Sequence, residues 1–225
     1  MKFSGLQKTS LIDYPNKVAS VLYTSGCNLR CPFCHNWRIV IDPKPPFLKE
    51  MEAIKILKSR KKYIDAVVIT GGEPTMHKDL PKFLMKLKKK GFQVKLDTNG
   101  FYPEILKECL PFVDYVALDI KTTLEKYSIL GAKNTIDFLC TVNMLKKGKI
   151  PYEFRITIVP GLIAFEDVSQ MGELLSGARK LVLQQYISED TLDKEYRKVE
   201  PYSSKEIKKF AKTFEKFVKN ISLRL

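Results

Sequence analysis

Six short runs rich in β-branched and aliphatic residues punctuate the 225-residue chain: VASVLYT (18–24), AVVIT (66–70), FQVKLDT (92–98), YVALDI (115–120), YEFRITIV (152–159) and KLVLQQYI (180–187). Several are apolar almost without interruption, the pattern of strands buried on both faces of a parallel sheet. Segments of helical period separate them, at about 47–60, 79–90, 103–109, 134–147, 166–177 and 203–221. In the last, Ile207, Phe210, Ala211, Phe214, Phe217, Val218 and Ile221 recur at helical spacing, which predicts one long helix packed on the core. Strict alternation with right-handed crossovers leaves two architectures, an open doubly wound sheet or a partial barrel of six parallel strands. No repeat, low-complexity stretch or linker interrupts the pattern, so residues 1–225 are read as one α/β domain.

The polar residues of this pattern gather at one end of the expected strands. A cysteine-rich loop follows the first, Gly71-Gly72-Glu73-Pro74 follows the second, and Asp97-Thr98-Asn99-Gly100 closes the third. Asp119 and Lys121 close the fourth, Arg155 sits on the fifth, and Gln184, Gln185 and Tyr186 end the sixth. All belong to the carboxyl-terminal rim, where parallel sheets and barrels bind their ligands.

The loop reads TSGCNLRCPFCHNW (24–37), which places Cys27, Cys31 and Cys34 within eight positions and His35 directly after them. Neither a signal peptide nor an apolar run approaching the roughly 18 residues of a membrane span is present, which predicts a cytoplasmic protein. Disulfides are rare there, so the cluster asks for a metal. Three cysteinates satisfy three irons of a [4Fe–4S] cube and leave the fourth iron open, whereas structural zinc favours four ligands in separated pairs. His35 could complete a Cys3His zinc site, but adjacent Cys34 and His35 are hard to aim at one small ion. Cys109 and Cys140 stand alone and are read as small core residues.

The formal net charge of +14 comes mostly from lysine. It is read as a solvated charged surface: the basic residues lack the interleaved aromatics of a single-strand platform, which argues against nucleic-acid binding.

CNLRCPFC, with an aromatic before the third cysteine and GGEP downstream, resembles the radical S-adenosylmethionine (SAM) superfamily. Over a longer span, GLQKTSLIDYPNKVASVLYTSGCNLRCPFCHN, LDTNG, LDIK and RITIVPG resemble the glycyl-radical-enzyme activases, in particular anaerobic ribonucleotide reductase activating proteins. The pyruvate formate-lyase activating enzyme is similar from the cysteine loop through Gly161. The resemblance implies a laterally open, partial (β/α)6 TIM-like barrel of six parallel strands. It implies a [4Fe–4S] cluster on Cys27, Cys31 and Cys34 whose open iron chelates SAM. It further implies cleavage to methionine and a 5′-deoxyadenosyl radical that takes a hydrogen from a glycine Cα of a partner glycyl radical enzyme. Flavodoxin or ferredoxin would be the one-electron reductant of such an anaerobic oxidoreductase. A radical SAM enzyme acting on a small molecule or RNA, and a zinc-stabilised basic binding module, are the alternatives.

Around SAM, the resemblance assigns Phe33, Cys34, His35, Gly71, Gly72, Glu73, Asp97, Thr98, Asp119, Lys121 and Arg155. Phe33 would stack on adenine, the carbonyls of Gly71 and Gly72 would accept from the ammonium, and Arg155 would meet a ribose or carboxylate oxygen. A branched side chain at Gly72 would fill the space of the methionine moiety and spare the cluster. Asp97 and Asp119 would repel unless a cation lies between them: Lys121, the SAM ammonium or a bound monovalent or divalent metal ion. The histidine that the formate-lyase activase carries near SAM is replaced here by Gln185-Tyr186-Ile187.

Overall fold

All six expected strands form and run parallel in the computed structural model, which describes residues 1–225. They are β2 (Ala19–Thr24), β3 (Ala66–Gly71), β4 (Gln93–Thr98), β5 (Tyr115–Asp119), β6 (Tyr152–Ile158) and β7 (Leu181–Gln185). Two further strands extend the sheet to eight: β1 (Gly5–Ser10), antiparallel to β2, and β8 (Ile221–Arg224), parallel to β7. The order is β8-β7-β6-β5-β4-β3-β2-β1, and the two end strands do not pair, so the barrel stays open along that side. A two-stranded ribbon, Lys2–Phe3 with Leu48–Lys49, sits apart from the main sheet.

Helices α1 (Trp37–Ile41), α2 (Glu50–Ser59), α3 (Leu80–Lys89), α4 (Pro103–Cys109), α5 (Ile136–Lys147), α6 (Asp167–Leu175) and α7 (Ser204–Phe214) occupy the connections. The outward side chains of the strands, among them Leu22, Ile69, Leu96, Leu118, Ile156 and Leu183, merge with the apolar helix faces into one core of 47 buried residues. The inward face divides in two. Towards β2 and β3 it is apolar, with Val21, Ala66 and Val68 closed over by Tyr14. Towards β4, β5 and β6 it carries Lys95, Asp97, Asp119, Glu153 and Arg155.

Three expectations need correction. The helix expected over 203–221 ends at Phe214; Phe217 and Val218 lie in the turn beyond it and Ile221 opens β8. Apolar residues spaced for a helix also suit a turn that tucks Phe217 against Gly172, where even a Cβ would come within 2.3 Å of the ring. The remaining residues then satisfy the otherwise bare edge of β7. The sheet has eight strands rather than six because β8 covers the edge of β7 and β1 covers the edge of β2. Cys140, expected in the core, is exposed, because α5 buries the stripe Phe138, Thr141, Val142 and Leu145 and Cys140 falls outside it. Cys109 is buried on α4 as expected. No helix is long and apolar enough to cross a membrane.

The two lone cysteines should therefore separate in stability measurements. Cys140→Ser should leave the unfolding free energy within about 0.5 kcal/mol of the parent, as an exposed substitution does. Cys109→Ser should cost about 1–3 kcal/mol by burying a hydroxyl. Denaturant melts of both variants check this, and equal losses would contradict the placement.

Candidate active site

The loop between β2 and α1 is held from three directions. Gly26 N–H donates to Ile39 carbonyl (2.8 Å), Arg30 N–H to Leu130 carbonyl (2.8 Å) and Glu73 N–H to Gly26 carbonyl (2.8 Å). The segment after β7 crosses over it, Leu192 N–H bonding Cys34 carbonyl (3.1 Å) and Asp193 N–H bonding Pro32 carbonyl (2.9 Å). Cys27, Cys31 and Cys34 emerge from this scaffold as free thiols into one cavity of about 600 Å³. Phe33, His35, Gly71, Gly72, Glu73, Asp97, Thr98, Asp119, Lys121 and Arg155 line the same cavity, whereas Pro74, Gly100, Gln185 and Tyr186, also expected at the rim, do not.

Burial pushes the Cys27 thiol up to about 11, with Glu73 adding to the rise, and the Cys31 thiol up to about 12, with Lys121 opposing. Cys34 is raised by burial as well, again against Lys121. A thiol meant to act as a nucleophile is shifted the other way; a metal deprotonates its thiol ligands outright. Thiols raised in this way fit metal ligation, in which the metal's positive charge displaces the proton. Leu29 N–H (3.4 Å) and Asn99 Nδ2 (3.5 Å) both donate to Cys27 Sγ. No three His, Cys, Asp or Glu side chains converge on one ion-sized point, and His35 is exposed. A mononuclear Cys3His site is therefore not formed, whereas a cube spreads one thiolate to each of three irons. The donor set fits the cluster.

Gly71 and Gly72 have a packing task beyond the carbonyl contacts expected of them. Gly71 lies at φ +120°, where a Cβ would come 2.4 Å from the Thr24 nitrogen, and a Cβ on Gly72 would come 1.7 Å from the Gly26 carbonyl oxygen. The space at Gly72 is thus filled by the cysteine loop itself, so a side chain there would strike the backbone of Gly26, next to Cys27. The Gly71 carbonyl already accepts from Asn36 Nδ2 (3.1 Å). Glu73 is turned inward: Oε1 accepts from Thr75 N–H (3.0 Å), Thr75 Oγ1 and Thr98 Oγ1 (2.7 Å), and Oε2 from Asn99 N–H (2.6 Å). Glu73 and Thr98 spend their polar atoms joining β3 to β4.

The cation between Asp97 and Asp119 is Arg155, a role not foreseen for it. Its Nη1 donates to Asp97 Oδ2 (2.9 Å) and its Nε to Asp119 Oδ1 (2.7 Å). Lys121 Nζ donates to Asp119 Oδ2 (2.8 Å) and Lys95 Nζ to Asp97 Oδ1. Burial would raise the Asp119 carboxyl, but Arg155 and Lys121 outweigh it and hold the group well below the usual carboxylate range. Burial likewise lowers Lys121, and Asp119 more than restores it. Arg155 therefore reaches any ligand already committed to two carboxylates.

Asn99 and Gln184, placed at the rim by the sequence without a role, and Thr157, which the sequence reading did not single out, also contribute. Asn99 Nδ2 also bonds Asn28 Oδ1 (2.7 Å), bracing the first cysteine. Thr157 and Gln184 line the cavity from β6 and β7. Period-two alternation would have marked Thr157, since it continues the face of Arg155. Gln185 instead donates to Tyr202 carbonyl (3.0 Å), and buried Tyr186 to Tyr196 carbonyl (2.6 Å).

The sequence profile of the Radical SAM superfamily matches residues 21–175. A Methanocaldococcus jannaschii protein named as a glycyl-radical enzyme activating enzyme is 32% identical over 232 aligned positions, covering 98% of this chain and 95% of that one. The pyruvate formate-lyase-activating enzyme of Staphylococcus aureus is 30% identical, covering 76% of this chain and 74% of that one. Among solved structures, TYW1 with a lysine–pyruvate adduct bound superposes with a TM-score of 0.67 at 20% identity, over 88% of this chain and 73% of that one. Streptococcus suis SuiB gives 0.67 at 14% identity, over 91% of this chain and 48% of that one. At these identities the two structures speak for the fold alone.

Two outcomes follow from the cavity. Gly72→Ala should lower the iron content of the anaerobically reconstituted protein, because the added methyl displaces Gly26; full iron occupancy would contradict the contact. In the iron-free protein at about pH 8, alkylation followed by peptide mass mapping should modify exposed Cys140 before Cys27 and Cys31. A thiol at about 11 is thiolate in only about one molecule in a thousand at that pH. Labelling of Cys27 and Cys31 should accelerate as pH rises towards 11, since raised thiols stay protonated below their own pKa.

Proposed function

Since the chain belongs to the radical SAM superfamily and is an oxidoreductase homologous to glycyl-radical-enzyme activating enzymes, we propose that its substrate is a glycine residue in a partner glycyl radical enzyme. The partner proposed is the anaerobic ribonucleotide reductase, with flavodoxin or ferredoxin as electron donor. When bound, the [4Fe–4S] cluster and SAM supply a one-electron cleavage to methionine and a 5′-deoxyadenosyl radical able to take the glycine Cα hydrogen.

The observation that carries this reading is the near end-to-end match with an activating enzyme, over a barrel whose end strands do not meet. The open side leaves a way in for a polypeptide loop. Beside it, Leu11 and Ile12 are 72% and 78% exposed, and Ile12 lines the cavity. Ser10 Oγ fixes their turn, donating to Asp13 Oδ2 (2.5 Å) and accepting from Ile12 and Asp13 N–H (3.2 Å each). Large aliphatic side chains held out beside a polar cavity suit a protein substrate better than a metabolite.

The residues of the chain divide the work. Cys27, Cys31 and Cys34 would hold the cluster, Phe33 would cover the adenine, and Asp119, Lys121 and Arg155 would orient SAM through fixed charges that need no reorganisation. A glycyl radical is stabilised by the amides on either side of its carbon, so the hydrogen transfer is downhill once water is excluded. The net charge of +14 would speed encounter with an acidic docking face, an effect that falls with salt.

Mixing the reduced protein with SAM and the reductase under anaerobic conditions should give the electron paramagnetic resonance doublet of a carbon-centred radical. Its splitting should vanish when the glycine is α-deuterated. SAM cleavage without such a radical, across every glycyl radical enzyme of the source organism, would turn the reading to a small-molecule substrate.

A further inference from the structure

Lys95 is completely buried on the inward face of β4, two residues below Asp97, and does not line the cavity. A lysine is almost never fully buried without a reason, and an apolar side chain of equal volume would fill the same space at less desolvation cost. Its ammonium donates to Asp97 Oδ1 and completes a pattern: each of the four oxygens of Asp97 and Asp119 has one cationic donor from the protein. The layer holds three positive and two negative groups, Lys95, Arg155 and Lys121 against Asp97 and Asp119, and so has one positive charge in excess. The other buried carboxylate nearby, Glu153, is engaged elsewhere, by Lys180 (3.2 Å), Arg224 (3.4 Å) and Tyr115 Oη (3.0 Å). Removing Lys95 would leave the layer neutral, with one oxygen of a buried carboxylate bare.

We propose that Lys95 is a tethered counter-ion: it supplies from within the chain the positive charge that two carboxylates next to bound SAM would otherwise draw from solution as a metal ion. SAM binding is then indifferent to alkali and alkaline-earth cations. Lys95 acts through Asp97 and is a positioning residue. It holds Asp97 against Arg155, and so holds the guanidinium at the place where an anionic ligand group meets it. Burial, with Arg155 adding to it, lowers the Lys95 ammonium from its ordinary value against the pull of Asp97, and the hydrogen bond between Lys95 and Asp97 shows which ion it serves. The inference rests on reading this rim as the SAM site.

The test is SAM affinity, measured by equilibrium dialysis on anaerobically reconstituted protein of verified iron content. The salts are choline, potassium, sodium, magnesium and ethylammonium chloride at matched ionic strength. The wild-type protein should bind SAM equally in all of them. Lys95→Ala should bind about thirtyfold more weakly in choline, the loss expected when one member of a buried, hydrogen-bonded charge pair is removed. Potassium or ethylammonium entering the vacated space should restore it. Lys95→Met, which keeps the volume and leaves no void, should show the loss without the rescue, and it carries the comparison if Lys95→Ala does not fold. A merely structural role for Lys95 would not respond to the choice of cation. Asp97→Asn separates the two levels of the argument. If Asp97→Asn and both Lys95 variants bind SAM like the parent, the rim is not the SAM site. The tethered counter-ion is overturned, with the rim intact, by any of three results. These are weakened binding by Asp97→Asn but not by the Lys95 variants, failure of every cation to rescue a folded Lys95→Ala, and wild-type affinity that climbs with potassium or magnesium.

Discussion

No atom can be placed between the Cα of Gly72 and the carbonyl of Gly26, and the site is assembled around that contact. It fixes the end of β3 against the root of the cysteine loop, and the next residue confirms the register, Glu73 N–H bonding the same carbonyl. From Glu73 the path continues through its carboxylate to Thr98 and the Asn99 amide at the end of β4, and from Asn99 to the sulfur of Cys27. Two strand ends and the first cysteine of the loop are thereby located relative to one another by bonds that leave each element little freedom. A buried carboxylate satisfied by four donors is rigid because every displacement uncovers a polar atom.

The barrel wall separates two kinds of interior. Outside it, strands and helices share an apolar core whose members were visible in the sequence as near-continuous runs. Inside it, from β4 to β6, charged side chains alternate in sign at hydrogen-bonding distance. Such an interior is costly to desolvate and useful only where a charged ligand must be met by groups that are already in place.

The same division explains what could be read beforehand. Parallel strands and the rim residues were legible because both follow from strong local patterns: unbroken apolar runs, and polar residues at their ends. Lys95 was passed over because one lysine in FQVKLDT reads as the polar step of a strand, and only the partner strands show that this step points into the barrel. Glu73 looked like a ligand contact because it adjoins the glycines, and its inward turn depends on donors from another strand. The expected helix runs on to Ile221 because Phe217, Val218 and Ile221 continue its spacing, but Phe217 and Val218 lie beyond its end and Ile221 pairs with the edge of β7. Cys140 was placed in the core on its apolar neighbours, where helical phase was the better guide.

The seam between β1 and β8 has a mechanical side. In a closed barrel the radius is set by strand number and shear, and the hydrogen-bond ladder resists any change. Here no ladder crosses the gap. At the carboxyl-terminal mouth its place is taken by a strap, the segment after β7, which reaches the loop after β2 through two backbone bonds. Side-chain contacts from Asp190 to Arg38, Trp37 and Arg197 add to it. All of these lie near solvent, where ion pairs are screened by salt and individually weak. The bore of this barrel is thus a soft coordinate along the seam. Its far side is as stiff as a sheet, and its mouth is as stiff as a handful of polar contacts.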